Sequence, residues 1–288
     1  MTPNEYCENK VRQSGSSFYY SFLFLSPERK TAIMALYAFC REVDDIVDEC
    51  SDAHIAQNKL NWWKQEIYTT FNPDSGQKPN HPVCLALLPL LKQYPFKMQY
   101  FLDIIQGMEM DLHHQGFQTF KELETYCYHA AGAVGLLTIE IMGYENPETE
   151  QYAKYLGTAL QLTNILRDVK EDLARSRLYL PLAELEQFDV SIDMLKNGQI
   201  SPNTQKLFAF QAERAETYYS QAQQILPEKD RYQQRTGLIM AAIYHTTLQK
   251  IKKTNYPVLT KRVRINPIHK LWIAWTTARK EYKRAMEN

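Results

Sequence analysis

An all-helical fold is predicted by three observations on the amino-acid sequence. Apolar residues recur at three- and four-residue spacing through long stretches, glycine is scarce at 10 in 288 residues, and alternating strand patterns are hard to find. The composition, 44% hydrophobic and 23% charged, is that of a globular chain able to bury a sizeable core. No internal repeat, low-complexity tract or long linker interrupts it, so residues 1–288 are expected to form a single helical domain.

The elements follow in order. Pro27-Glu28-Arg29 opens a helix that carries Ile33, Leu36, Tyr37, Cys40, Val43 and Val47 at helical spacing, with proline suited to the first turn. Further helices are predicted at about 53–71, 82–93, 97–113, 119–142, 148–175, 203–225, 229–254 and 266–286. Breaks fall at Asn72–Gly76, Tyr94-Pro95, Gly143–Pro147, Asn197-Gly198 and Tyr256-Pro257. Met1 to Lys10 is polar and does not resemble a signal peptide. Ala130–Ile139 and Thr236–Tyr244 are the most apolar runs, and both fall short of the ~18 residues of a membrane span.

Bulk charge excludes some partners. With 33 basic and 33 acidic residues the net charge is zero, so no global field draws the chain to nucleic acid or to an anionic membrane. The cysteines, Cys7, Cys40, Cys50, Cys84 and Cys127, are odd in number and form no Cys-x-x-Cys pair. Cys40 and Cys127 read as small core residues, and a reducing, cytoplasmic setting is expected.

The acidic residues carry the chemistry. Tyr37, Arg41, Asp44 and Asp48 are four, three and four apart and form one stripe on the helix that begins at Pro27. Gly157, Gln161, Asn164, Asp168 and Asp172 form a second stripe, surrounded by Leu160, Leu162, Ile165, Leu166, Val169 and Leu173. Helices apolar on most sides are usually buried, and a buried carboxylate needs a counter-charge. Carboxylates four apart on a helix also repel one another. Asp45, Glu49 and Glu171 add to the crowd, and only Arg41, Arg167 and Lys170 lie close in sequence to offset it. Divalent metal would resolve that conflict. Mg²⁺ favours one or two carboxylates together with water and phosphate oxygens, so two facing stripes can hold several ions bridged by a diphosphate. Asp-x-x-x-Asp alone is a weak signal, because the chain holds it at 44/48, 48/52, 168/172 and 189/193. The last pair falls in a predicted loop and lacks flanking Asn and Arg. The informative feature is the company of the other residues on each stripe.

These residues resemble the squalene and phytoene synthase family, the head-to-head prenyl transferases. The resemblance runs through Ser14–Tyr20 (SGSSFYY), Tyr37–Glu49 (YAFCREVDDIVDE), Tyr126–Gly135 (YCYHAAGAVG), Leu160–Asp172 (LQLTNILRDVKED) and Arg177–Pro181 (RLYLP), in order, from about residue 5 to 270. Lys59–Glu66 (KLNWWKQE) and His81-Pro82-Val83 look closest to the bacterial presqualene diphosphate synthases of hopanoid and squalene biosynthesis. The family implies an all-α isoprenoid synthase fold, a helical bundle around a central cavity. It also implies Mg²⁺, three ions with substrate bound, and farnesyl diphosphate as substrate; NADPH is not expected. Carried over by motif, Asp44 and Asp48 match the first metal site, and Asn164, Asp168 and Asp172 the second. Ser17, Phe18, Tyr37 and Arg41 fall near the first diphosphate, and Gln161 and Arg167 face the substrate from the second helix. Arg177 and Tyr179 match a pair near the departing diphosphate. Tyr244 and Arg262 match residues that close the site from the C-terminal helices. Tyr126 matches a tyrosine proposed to assist proton transfer, and Asp111 sits where relatives often carry another acid. Some relatives have His at the position of Ser14, and a neutral hydroxyl supplies no positive charge to phosphate; the load then falls on Arg41 and Arg262.

The implied chemistry is ionisation of an allylic diphosphate, attack by the 2,3 double bond of a second prenyl diphosphate, and proton loss to close a cyclopropane. Fixed positive charge must stabilise the departing diphosphate, and an apolar cavity must exclude water from the cation. Phe18, Tyr19, Phe22, Phe24 and Phe39 are candidates to line that cavity, although an aromatic stripe also reads as plain core. Tyr126 reads equally as a hydrogen-bonded core tyrosine, and Arg262 and Arg264 as a basic surface edge. Adjacent His113 and His114 point apart on a helix and read as solvated rather than metal-binding. The alternatives are a phytoene or dehydrosqualene synthase, an NADPH-dependent squalene synthase, a terpene cyclase, or a non-catalytic helical scaffold or metal-binding relative. An apolar product suggests peripheral contact with a membrane, and a downstream pathway enzyme is a candidate partner.

Overall fold

The computed structural model of the chain describes residues 1–15, 18–50, 52–113 and 116–287. Ser17 and His114 lie outside these residues. Every regular element among them is helical: α1 (Pro3–Gln13), α2 (Tyr19–Phe22), α3 (Pro27–Glu49), α4 (Ala53–Phe71), α5 (Pro82–Leu90), α6 (Met98–Leu112), α7 (Phe120–Cys127), α8 (Ala133–Met142), α9 (Glu148–Ala174), α10 (Leu182–Gln187), α11 (Ile192–Lys196), α12 (Pro202–Ile225), α13 (Arg235–Lys253) and α14 (Pro267–Glu287).

Local chemistry sets most boundaries. Pro27 occupies the first turn of α3 while the Ser26 hydroxyl accepts from the Arg29 amide. The Asp52 carboxylate caps α4 by accepting from the amides of His54 and Ile55. Three differences from the sequence-based expectation have physical causes. Helix α1 was not foreseen, because only Cys7 and Val11 are buried on it and no apolar stripe announces it; Thr2 and Glu5 form its reciprocal cap. The helix expected at 119–142 is divided by a π-helical turn, Tyr128–Gly132, that joins α7 to α8. The helix expected from 229 begins instead at Arg235, after a separate turn that contains Asp230.

Most of the core lies in two apolar clusters. One gathers α3 to α6 around Phe39, whose ring meets Trp63 at 5.6 Å and Phe101 at 5.1 Å, both nearly edge-on. The other gathers α9, α12 and α13 around Leu166, Phe208, Ala212 and Ile239. Glycine brings α9 unusually close to the π-helical turn: a Cβ on Gly157 would stand 2.8 Å from the Ala131 carbonyl oxygen and from the backbone of Gly132. This close approach sets the position of the second acidic stripe, which continues from Gly157 along the same helix.

Asp230 joins the two ends of the α8–α9 connection to the start of α13. Its carboxylate, 1% exposed, accepts from the amides of Glu145 (2.9 Å) and Asn146 (3.1 Å), the Asn146 side chain (3.2 Å) and the Thr149 hydroxyl (2.6 Å). Burial disfavours the charge, but these donors outweigh it and hold the pKa below the usual carboxylate value. A depressed pKa contributes stability that is present above about pH 4 and lost as pH falls through the folded-state value. Asp230→Ala is expected to cost about 2–3 kcal/mol in denaturant unfolding at neutral pH, because it strands buried donors, with the gap to wild type narrowing in acid.

Candidate active site at the mouth of an apolar cavity

Between the two clusters lies a cavity of about 320 Å³ walled by α2, α3, α6, α8, α9 and α13. Its depth is apolar, with Leu36, Val134, Leu156, Leu160 and Met240 among the lining residues. Its polar wall comes from Arg41 and Asp44 on α3 and from Gln161 and Asn164 on α9. Phe18, Phe22 and Tyr37 supply aromatic faces: Phe18 stands 5.8 Å from the Tyr37 ring and 6.2 Å from that of Tyr244. Phe39 does not line the cavity but is fully buried behind α3, and Tyr19 and Phe24 are also absent from the wall. Cys40, expected as plain core, does face the cavity.

On α3, Arg41 donates to Asp44 at 2.6 Å and also pairs with Asp45, whose carboxylate is held at 2.9 Å by Lys10 from α1. Tyr37 donates to the Ser14 hydroxyl at 3.0 Å, and Ser14 in turn donates to the Val11 carbonyl at 2.7 Å. Ser14 therefore positions Tyr37, a role that needs no positive charge.

The end of α9 is turned back onto α3. The Arg177 amide bonds the Asp172 carbonyl at 2.9 Å and the Ser176 amide bonds that of Leu173 at 3.0 Å, a Schellman ending. Ser176 takes the left-handed conformation this requires, at φ 60°, at a cost of about 1 kcal/mol relative to glycine. The turn sends Arg177 to Asp48 (2.7 Å) and to the Val47 carbonyl (3.0 Å), and Arg175 to the other oxygen of Asp48 (3.0 Å). One turn before the helix end, Asp168 is gripped by Arg167 (2.7 Å) and by Arg262 (2.7 and 2.8 Å). Val263 and Ile265 are buried on either side of exposed Arg264, and this anchors the segment that presents Arg262. The Arg167 guanidinium also lies 5.8 Å from the centre of the Tyr244 ring.

Asp111 on α6 is the buried hub behind the arginines. It accepts from Tyr126 and from Tyr179, each at 2.8 Å, and the two rings stack at 5.3 Å. Burial and the Asp111 charge push Tyr126 well above its ordinary pKa, so its proton is firmly held. Asp44 is pushed up to about 6 and Asp172 to about 7, chiefly by burial. Nearby carboxylates add to both shifts, and Asp111 acts on each, so the two stripes share one electrostatic neighbourhood.

The structure therefore brings together Phe18, Tyr37, Arg41, Asp44, Gln161 and Asn164 on the cavity wall. Asp48, Asp168 and Asp172 lie on the next turns of the same helices, and Arg177 and Arg262 pair with them. Tyr126 and Tyr179 stand behind, on Asp111, and are not among the residues that line the cavity. Sequence reasoning missed Arg175; its signal was the alternation Arg175-Ser176-Arg177 just past a helix end. The donor set suits a hard cation: carboxylates together with the buried Asn164 Oδ1, which has no hydrogen-bond partner among the described residues. Among the described residues no three acidic, His or Cys side chains form a ready-made ion cage.

A helical bundle with acidic stripes beside an apolar cavity defines a class of prenyl-diphosphate enzymes, and comparison with known proteins identifies its family. The squalene/phytoene synthase family model matches residues 11–269. The 15-cis-phytoene synthase of Synechocystis sp. is 34% identical over 291 aligned residues, covering 95% of this chain and 85% of that protein. A dehydrosqualene synthase crystal structure superposes with a TM-score of 0.85 at 29% identity, over 98% of this chain and 97% of the other. Squalene synthase HpnC from Alicyclobacillus acidocaldarius superposes with a TM-score of 0.78 at 26% identity, over 88% and 94%. The chain belongs to the squalene/phytoene synthase family. It has the isoprenoid synthase fold and is a prenyl transferase of the head-to-head class.

The raised pKa of Asp172 has a testable sign. Its contribution to stability is complete below about pH 4 and is lost as pH rises through about 7. In metal-free protein, Asp172→Asn is expected to melt above wild type near pH 8, with the advantage shrinking as pH falls and gone near pH 4. Equal displacement at both pH values, followed by circular dichroism, would show that Asp172 is not desolvated in this way.

Proposed function

We propose that the chain, acting as one domain, condenses two molecules of farnesyl diphosphate head-to-head to presqualene diphosphate. The observation that carries this reading is the pair of acidic stripes beside the cavity, tied together by Arg175 and Arg177 from the end of α9 on Asp48 of α3, with Arg262 on Asp168. Asp44, Asp48, Asn164, Asp168 and Asp172 are the residues to hold Mg²⁺. When bound, the metal supplies Lewis acidity and charge neutralisation for the leaving diphosphate. Arg41, Arg167, Arg177 and Arg262 are already gathered as counter-ions of the carboxylates, and they turn to phosphate oxygens as diphosphate arrives. This places positive charge where negative charge develops on C–O cleavage, commonly the largest catalytic contribution.

The apolar depth takes the prenyl chains and excludes water from the allylic cation. Phe18, Phe22 and Tyr37 present ring faces that favour a nearby positive charge. The 2,3 double bond of the second substrate attacks the cation, and loss of one proton closes the cyclopropane. Tyr126 holds its own proton on Asp111, so its contribution is to fix Asp111 and Tyr179 behind the arginines. The released diphosphate is then the nearest competent base. NADPH has no part in this half-reaction. A second reading, condensation of C20 diphosphates to phytoene, is favoured by the 34% identity to a 15-cis-phytoene synthase. The C15 reading is supported by the segments at Lys59–Glu66 and His81–Val83.

Asp44→Asn and Asp168→Asn are each expected to lower turnover by about 100-fold or more with the helical circular dichroism unchanged. Mg²⁺ and diphosphate together are expected to raise the melting temperature more than the sum of either alone. Mass spectrometry of the products from C15 and C20 diphosphates, with and without NADPH, tests the assignment. A C30 diphosphate formed without NADPH supports it, and product from C20 substrate alone contradicts it.

A further inference from the structure

Helix α14 is amphipathic in the unusual sense: its core-facing side is narrow, and an aromatic, apolar stripe points outward. Ile273, Ala274, Ala278 and Glu281 face inward, and the buried Glu281 is paired with Arg231 at 3.0 Å. On the opposite face Ile268 is 82% exposed, Trp272 58%, Trp275 47%, Tyr282 51% and Met286 69%. Their spacings of four, three, seven and four residues place them on one line along the helix, and Arg279 fills the seven-residue gap. Lys280 and Lys283, both exposed, add positive charge beside Arg279. The acids of this helix are Glu281, which is buried, and Glu287, in its last turn. Arg279 lies 5.2 Å from the centre of the Trp275 ring, so charge and aromatic surface are interleaved.

We infer that this face of α14 docks the protein on an anionic phospholipid surface. Three physical arguments select that occupant. Tryptophan and tyrosine, with an apolar body and one polar atom, favour the boundary between headgroups and acyl chains. A basic amphipathic helix with such a face lies in the plane of that boundary, held by buried apolar area and by attraction to anionic headgroups. A second copy of the chain fits less well, because symmetric pairing would bring Arg279 and Lys283 into a contact rich in their own positive charge. The position has a use. Helix α14 packs on α2, with Lys270 5.7 Å from the centre of the Tyr20 ring, and α2 carries Phe22 on the cavity wall. A docked α14 therefore holds the cavity beside the membrane that dissolves long prenyl chains. No helix among the described residues is long and apolar enough to cross a membrane, so the docking is peripheral.

The test uses the full chain and no substrate, so its outcome is independent of which product the enzyme makes. Protein is sedimented with sucrose-loaded vesicles of phosphatidylcholine or of an equal mixture of phosphatidylcholine and phosphatidylglycerol. Binding to the mixed vesicles, a blue shift of tryptophan emission and weakening by salt are expected. Trp272→Ser/Trp275→Ser should lower the vesicle partition coefficient by on the order of ten-fold or more without lowering the melting temperature. Lys280→Glu/Lys283→Glu should remove the preference for anionic vesicles. Wild-type protein left in the supernatant with both vesicles overturns the inference. So does wild-type binding by the Trp pair variant, or a dimer in light scattering that the Trp pair substitution dissolves.

Discussion

Crowding of carboxylates at the mouth of an apolar cavity is the constraint on which the site depends. Asp44, Asp48, Asp111, Asp168 and Asp172 approach one another from α3, α6 and α9, and low-dielectric surroundings make such charges costly unless they are neutralised. Arginines from three separate segments answer that cost: Arg41 within α3, Arg175 and Arg177 from the end of α9, and Arg262 from the segment before α14. The pairs also tie the N-terminal and C-terminal halves of the bundle together. Where neutralisation is incomplete, burial raises the carboxyl pKa, to about 6 for Asp44 and to about 7 for Asp172. An assembly balanced in this way is poised for a ligand that brings cations and a polyanion together.

Backbone details place these charges. Gly157 lets α9 press against the π-helical turn, and Ser176 accepts a left-handed conformation so that α9 can end by reversing two arginines onto Asp48. The same reversal leads through Tyr179 to Asp111, and the amides of Leu182 and Ala183 then bond the carbonyls of Phe117 and Gln118. Site geometry is thus an outcome of helix endings and close helix contacts as much as of the acidic side chains themselves.

Much of this was legible in the sequence because helical periodicity is a local property. The long helices α4, α9 and α12 appear within a residue or two of their expected limits, and both acidic stripes face the cavity mouth. What escaped was set by contacts distant in sequence. The six residues from Lys229 to Gln234 read as helix, but Asp230 is engaged by Glu145, Asn146 and Thr149 instead. Phe39 read as a cavity residue, yet the edge-on rings of Trp63 and Phe101 claim it for the core. Arg262 read either as a surface edge or as a site residue, and its partner Asp168 lies 94 positions away, beyond the reach of any local pattern. Asp111 stood out in sequence only as a match to an acid of relatives, because its partners, Tyr126 and Tyr179, come from two other segments.

The central claim is that both stripes act as one ion and diphosphate site. Anomalous diffraction from crystals grown with Mn²⁺ and a non-hydrolysable farnesyl thiodiphosphate measures this directly. The account predicts metal peaks against both Asp44–Asp48 and Asn164–Asp168–Asp172, joined by one diphosphate, with Arg177 and Arg262 released from their carboxylates. Metal on one stripe alone, with the arginine–aspartate pairs intact and the diphosphate elsewhere, would contradict it.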